Sequence, residues 1–113
     1  MRQLTLNLSQ GSVSFPFSPE AAQRLRQEID GLMQSLKAIA NRPPSQRPKP
    51  QPPLNYCHRG DVFLEVFCNP NIYASPFAAK VLIDLRDDKI RLNAEAELPR
   101  LVEDLSHYLE QPE

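Results

Sequence analysis

The sequence predicts an α+β fold: an antiparallel sheet built from β-hairpins with two amphipathic helices packed on it, in the order ββα, a proline-rich strap, then ββββα. Three observations carry this. Several short segments alternate apolar and polar residues with period two, the mark of a strand with one face buried. Two longer segments space their apolar residues by threes and fours, the mark of a helix with one covered stripe. Between them, residues 42–53 (RPPSQRPKPQPP) hold six of the chain's twelve prolines, a composition that favours extended polyproline II backbone over a packed element.

Residues 4–8 (LTLNL) and 13–17 (VSFPF) alternate, and Ser9-Gln10-Gly11-Ser12 between them is turn chemistry. Gly11 supplies a positive φ at no steric cost. Pro16 cannot donate to a ladder, so the second strand ends there or lies at an edge. Ser18-Pro19-Glu20 then starts a helix, with Ser18 as N-cap, Pro19 in the first turn and Glu20 at the positive end. Ala22, Leu25, Ile29, Leu32, Leu36 and Ile39 form its stripe, Gly31 weakens it slightly, and it must stop before Pro43-Pro44.

Strand patterns resume at Leu54, Tyr56 and His58, with a tight turn expected at Arg59-Gly60 pairing His58 with Asp61 and Cys57 with Val62. Residues 62–68 (VFLEVFC) are nearly continuous β-formers, which predicts a central strand covered on much of both faces. Asn69-Pro70-Asn71 breaks it, and residues 71–78 read as a loop carrying Tyr73 and Phe77. Val81, Ile83 and Leu85, the turn Arg86-Asp87-Asp88-Lys89, then Ile90 and Leu92 make a further hairpin. A final helix begins near Glu97, with Leu98, Leu101, Val102, Leu105 and Leu109 on one face. Shifting the first third by 77 positions lays Leu6 on Ile83, Val13 on Ile90 and Leu25 on Val102, a spacing expected of two hairpin-then-helix units.

The 113 residues suit a single α+β domain, divided as 1–41 (hairpin and long helix), 42–53 (strap) and 54–113 (hairpins and C-terminal helix). No apolar run approaches the length of a membrane span, and the opening MRQLTLNLSQGS lacks the apolar stretch of a signal peptide, so no membrane association and a cytoplasmic location are expected. Charge is uneven: residues 1–60 carry eight Lys/Arg against three Asp/Glu, and residues 61–113 five against eleven. Solvated helix faces of opposite sign account for this most simply, the alternative being attraction between the two halves, within one molecule or between two.

The residues that carry chemistry elsewhere are sparse. Cys57, His58, Cys68 and His107 match a zinc site in number, but not in spacing: Cys57 and His58 are strand neighbours that point to opposite faces. A Cys57–Cys68 disulfide is disfavoured because the two lie far apart along the ladder. Asp87/Asp88 belong to a turn and Glu103/Asp104 to a polar helix face. With glycines only at 11, 31 and 60, no phosphate-cradling loop exists. Arg59-Gly60-Asp61 reads as a hairpin turn. No catalytic residue, metal or cofactor is therefore expected.

What remains points to protein contacts. Arg47-x-x-Pro50-x-x-Pro53 fits the pattern of ligands taken by SH3-type grooves, but any basic, proline-rich linker meets it easily, and a plain spacer is the preferred reading. The first-helix stripe of Leu25, Ile29, Leu32 and Leu36, widened by Met33 and Ala40, is expected to cover the chain's own sheet, with a homodimer along this helix as the alternative. Tyr73 and Phe77 complete the set of protein-interaction candidates. The expected function is a small non-catalytic, cytosolic protein-interaction or assembly factor. One alternative is a nucleic-acid-associated accessory protein using the basic first half and Arg42, Arg47, Lys49 and Arg59, though a net charge of −1 makes nucleic acid an unfavoured partner. The other is an enzyme using Cys57 or His107.

Overall fold

Leu4 and Leu6 on one strand and Phe15 on the next place their side chains on the same side, which sets the first hairpin. A computed structural model describes residues 2–111 of the chain. In it Gln3–Leu8 (β1) pairs antiparallel with Gly11–Pro16 (β2), Leu4 opposite Phe15 and Leu6 opposite Val13. Gly11 closes the turn at φ +127°, a conformation that an L side chain resists.

Helix Pro19–Ala40 (α1) follows. The Ser18 Oγ accepts the Ala21 N–H at 3.1 Å, as a capping serine should. Ala21, Ala22, Leu25, Ile29, Leu32 and Leu36 are buried along one side. The helix ends before the prolines, and residues 42–53 form the strap. It makes a turn in which the Gln46 N–H bonds the Pro43 carbonyl at 3.0 Å, then runs extended.

Leu54–Arg59 (β3), Phe63–Cys68 (β4), Lys80–Arg86 (β5) and Arg91–Glu97 (β6) form a four-stranded antiparallel meander, and helix Leu98–Glu110 (α2) completes the chain. The α+β architecture and element order are those the sequence predicts. Both helices pack against one face of the meander. Leu64, Val66, Val81, Ile83 and Ala96 from the sheet meet the α1 stripe and Leu98, Leu101, Leu105 and Tyr108 of α2 in one core, which Leu4, Leu6, Phe15 and Phe17 of the first hairpin complete. Full burial of a leucine-sized side chain is worth about 1.5–3 kcal/mol, so this single core dominates the stability.

The first hairpin reaches the meander by a backbone bond, Ser9 N–H to Glu95 O at 2.8 Å. Its firmer anchorage is to α2. Asp104 accepts the Asn7 backbone N–H at 2.7 Å and its Nδ2–H at 2.8 Å. The Arg2 guanidinium stacks over the Tyr108 ring at 4.2 Å and donates to the Tyr108 carbonyl, while the Tyr108 hydroxyl donates to the Phe17 carbonyl. Arg26 Nη1 joins α1 to Ser106 of α2 at 2.9 Å.

Four local expectations need correction. The β3–β4 turn spans Gly60-Asp61-Val62, so Cys57 faces Glu65 and His58 faces Leu64. A Cβ at Gly60 would stand 2.7 Å from the His58 Nε2, so any larger residue there displaces the imidazole. β4 is central but covered on one face only: both helices lie on the side of Leu64, Val66 and Cys68, leaving Phe67 exposed. The break after β4 contains two short 3₁₀ turns, Pro70–Ile72 and Pro76–Ala78, instead of a plain loop. The 77-residue echo does not survive in register: Leu6 pairs with Val13, but Ile83 pairs with Ala94 and not Ile90. The second hairpin has the longer turn, where the Asp87 carboxylate accepts the Lys89 and Ile90 N–H groups at 2.8 and 2.9 Å. These bonds, that from Ile90 foremost, pull Asp87 below the usual carboxylate range. Opposite charge does not tie the two halves together: the ion pairs among the described residues are Arg26–Asp30, Asp84–Arg91 and Arg100–Asp104, each within one half.

Candidate protein-interaction surface

Packing both helices on one side leaves the other side of the meander open, and strand register arranges its residues in rows. Asn55, Phe67, Leu82 and Glu95 form the first row, Cys57, Glu65, Asp84 and Asn93 the second, and Arg59, Phe63, Arg86 and Arg91 the third. The β1–β2 turn, with Leu8, Ser9 and Gln10, rises beside the first two rows. It and the sheet enclose a groove of about 900 Å³.

The groove floor is apolar and its borders are acidic. Phe67 and Leu82 face each other across β4 and β5, at 37% and 52% exposure. Isolated exposed apolar residues are ordinary; an adjacent pair in a concavity is less so. Asp84 is held by Arg91, whose Nε and Nη2 donate to its two oxygens at 3.2 and 3.1 Å. Glu65 and Glu95 have no ion-pair partner among the described residues. At the far end, Phe63 is already occupied, with the guanidinium carbons of Arg86 and Arg59 4.2 and 5.4 Å from its ring centre.

The residues singled out from the sequence are dispersed. Leu25, Ile29, Leu32 and Leu36 are buried against the chain's own sheet, as the preferred reading of the stripe expected, and so offer no side chain to a partner. Met33 packs half-buried against the same core, and Ala40 is exposed. Arg47, Pro50 and Pro53 are exposed along the strap. Arg47 and Pro50 line a concavity of about 630 Å³ between the strap and the end of α1. Asn71 pins the strap there, accepting the Gln51 N–H at 2.8 Å and donating to the Gln51 carbonyl at 2.9 Å. Tyr73 is half-buried against the core, whereas Phe77 stands 87% exposed on its 3₁₀ turn.

The cysteines and histidines do not converge. Cys57 is exposed on the open face and Cys68 is buried on the helix side, where burial pushes its thiol up to about 11. His58 packs edge-on against the Phe17 ring at 4.8 Å. Burial, and after it the Arg24 guanidinium, hold its imidazole below the ordinary value. Tyr56 donates to the Ala21 carbonyl at 3.3 Å, and burial raises its hydroxyl. His107 is exposed on α2, across the sheet from Cys57. No group of three or more His, Cys, Asp or Glu converges among the described residues. Nor is any described helix long and apolar enough to cross a membrane.

Phe67, Leu82, Glu65 and Glu95 were missed from the sequence. The available signal was Glu65, whose charge between Phe63 and Phe67 marks their shared face as wet. No family model, curated protein or solved structure matches this chain.

Proposed function

We propose that this protein is a small non-catalytic, cytoplasmic interaction factor whose open sheet face takes a partner segment bearing an apolar side chain flanked by lysine or arginine. The Phe67–Leu82 pair, bordered by the carboxylates of Glu65 and Glu95, which have no ion-pair partner among the described residues, in a groove of about 900 Å³, carries this reading. An apolar anchor fills such a pocket and provides most of the affinity, while opposite charge at the rim speeds association and selects the partner. Free thiols at Cys57 and Cys68 favour a reducing compartment.

The competing readings fit less well. A sheet that stacks nucleobases needs free aromatic faces and a cationic track for phosphates. Here Phe63 is covered by Arg59 and Arg86, and carboxylates border Phe67. For an enzyme, Cys57 and His107 stand on opposite sides of the sheet. Selection of a random phage-displayed peptide library on the immobilised protein tests the proposal. The enriched peptides are expected to combine an aromatic or aliphatic residue with adjacent basic residues. They should bind more weakly to Glu65→Gln/Glu95→Gln and not at all to Phe67→Ser/Leu82→Ser. Peptides that bind the double-serine variant equally well, or no enrichment, would overturn it.

A further inference from the structure

One edge of the sheet has no backbone partner among the described residues. At the β6 edge the Ser9 N–H bonds the Glu95 carbonyl, and β2 carries Pro16. β3 ends the meander on the other side. Among the described residues, no backbone group of Leu54–Arg59 bonds outside the β3–β4 ladder. Proteins usually blunt such an edge with proline, lysine, a bulge or a covering segment. β3 has neither proline nor lysine, its register with β4 is unbroken, and a concavity of about 610 Å³ runs along it, walled by Arg24, Gln27 and Glu28 of α1.

We propose that a second copy of this chain pairs with β3 in antiparallel register about a two-fold axis at Cys57, joining two meanders into one eight-stranded sheet. The pleat restricts the register. A residue on the open face must oppose another on the open face, because a one-residue slip turns every side chain over. Two registers meet this condition over five residues, centred on Tyr56 or on Cys57. The first sets Pro53 opposite Arg59, where the proline cannot donate to the ladder, so the second is preferred, with Cys57 opposite its own copy and Arg59 opposite Asn55 of the second copy. No like charges meet. The helix flank is self-complementary in the same way. Arg24 and Glu28 lie one turn apart, and neither has an ion-pair partner within the chain among the described residues. A two-fold axis reverses their order, so Arg24 of each copy faces Glu28 of the other, as an isologous interface requires. This flank of α1 differs from the Met33 side expected from the sequence; Arg26, two turns before Met33, faces α2.

The test is light scattering from micromolar to submillimolar protein, with cross-linking by a short bis-maleimide. Opposed residues in an antiparallel pair have Cα atoms about 4.5–5.5 Å apart, within reach of the linker. The expected result is a mass rising with concentration from 12.9 kDa to twice that value, with a cross-link between two Cys57 residues. Cys57→Lys and Cys57→Glu, each folded by circular dichroism, should stay monomeric alone and regain the doubled mass when mixed. Phe67→Ser/Leu82→Ser should dimerise like the wild type, which separates this test from that of the groove. A wild-type mass of 12.9 kDa at every concentration, or a doubled mass unaffected by Cys57→Lys, would overturn the proposal.

Discussion

Asp104 makes two of the bonds through which the first hairpin is held to α2, and replacing it by alanine tests that geometry. Its oxygens accept two N–H groups of Asn7 at 2.7 and 2.8 Å, and the Arg100 Nε lies 3.8 Å away. Arg100 is 54% exposed, so its ion pair with Asp104 is worth little. The Asn7 bonds are charge-assisted, and such bonds contribute roughly 1.5–3 kcal/mol each when buried. Asn7 is only half-buried, so water recovers part of the loss. Asp104→Ala should therefore cost about 2–3 kcal/mol, near the lower limit for two bonds. For a domain of this size that lowers Tm by about 8–12 °C. Arg100→Ala should cost less than about 0.5 kcal/mol. Urea denaturation of Asp104→Ala, Asn7→Ala and the double variant separates the pair energy from the single effects. A loss below about 0.5 kcal/mol for Asp104→Ala, comparable to an ordinary surface change, would refute the reasoning.

Two glycines should respond with opposite signs. Gly11→Ala forces an L side chain to φ +127° and should cost about 1–3 kcal/mol, whereas Gly31→Ala, exposed on α1 with nothing within 4 Å of the new Cβ, should gain about 0.5–1 kcal/mol; thermal melts read both. Native protein should take up one maleimide at neutral pH, at Cys57, while Cys68 reacts only on unfolding, and mass spectrometry after labelling checks this. His58 is held below 6.5 in the folded state, so the unfolded chain takes its proton first. Its contribution should be complete above about pH 6.5 and fall as pH drops through that value toward the folded-state pKa; His58→Phe should flatten that part of the stability–pH curve.

Local signals in the sequence were strong where one residue determines one feature. Ser18, Pro19 and the spacing of Leu25, Ile29, Leu32 and Leu36 were enough to place α1. Gly11 marked the first turn, although that turn is only Ser9-Gln10 and not the expected 9–12, because Gly11 and Ser12 already pair with Leu8 and Asn7. Features that depend on distant pairing were harder to read. The β3–β4 register rests on where Val62 and Leu64 find room in the core, which no local pattern encodes, so the turn was placed too early. Tyr108 completes the α2 stripe after Leu98, Leu101 and Leu105, yet its partners are Arg2 and Phe17 at the other end of the chain. The groove was least legible. Phe63 and Phe67 resemble core residues in composition, and only the choice of one sheet face by both helices leaves Phe67 and Leu82 exposed.

The anchorage of the first hairpin by Asn7–Asp104 and Arg2–Tyr108 has a consequence for synthesis. Residues 3–16 leave the ribosome before the meander and both helices, yet the partners that hold them lie at 104 and 108. Two-stranded hairpins alone are marginal in water. Leu4, Leu6 and Phe15 therefore remain without their final cover until α2 emerges. Contacts of such long sequence separation slow folding and prolong the life of exposed apolar surface. A nascent chain stalled before residue 98 is thus expected to be a good chaperone client, and one extended past residue 110 a poor one.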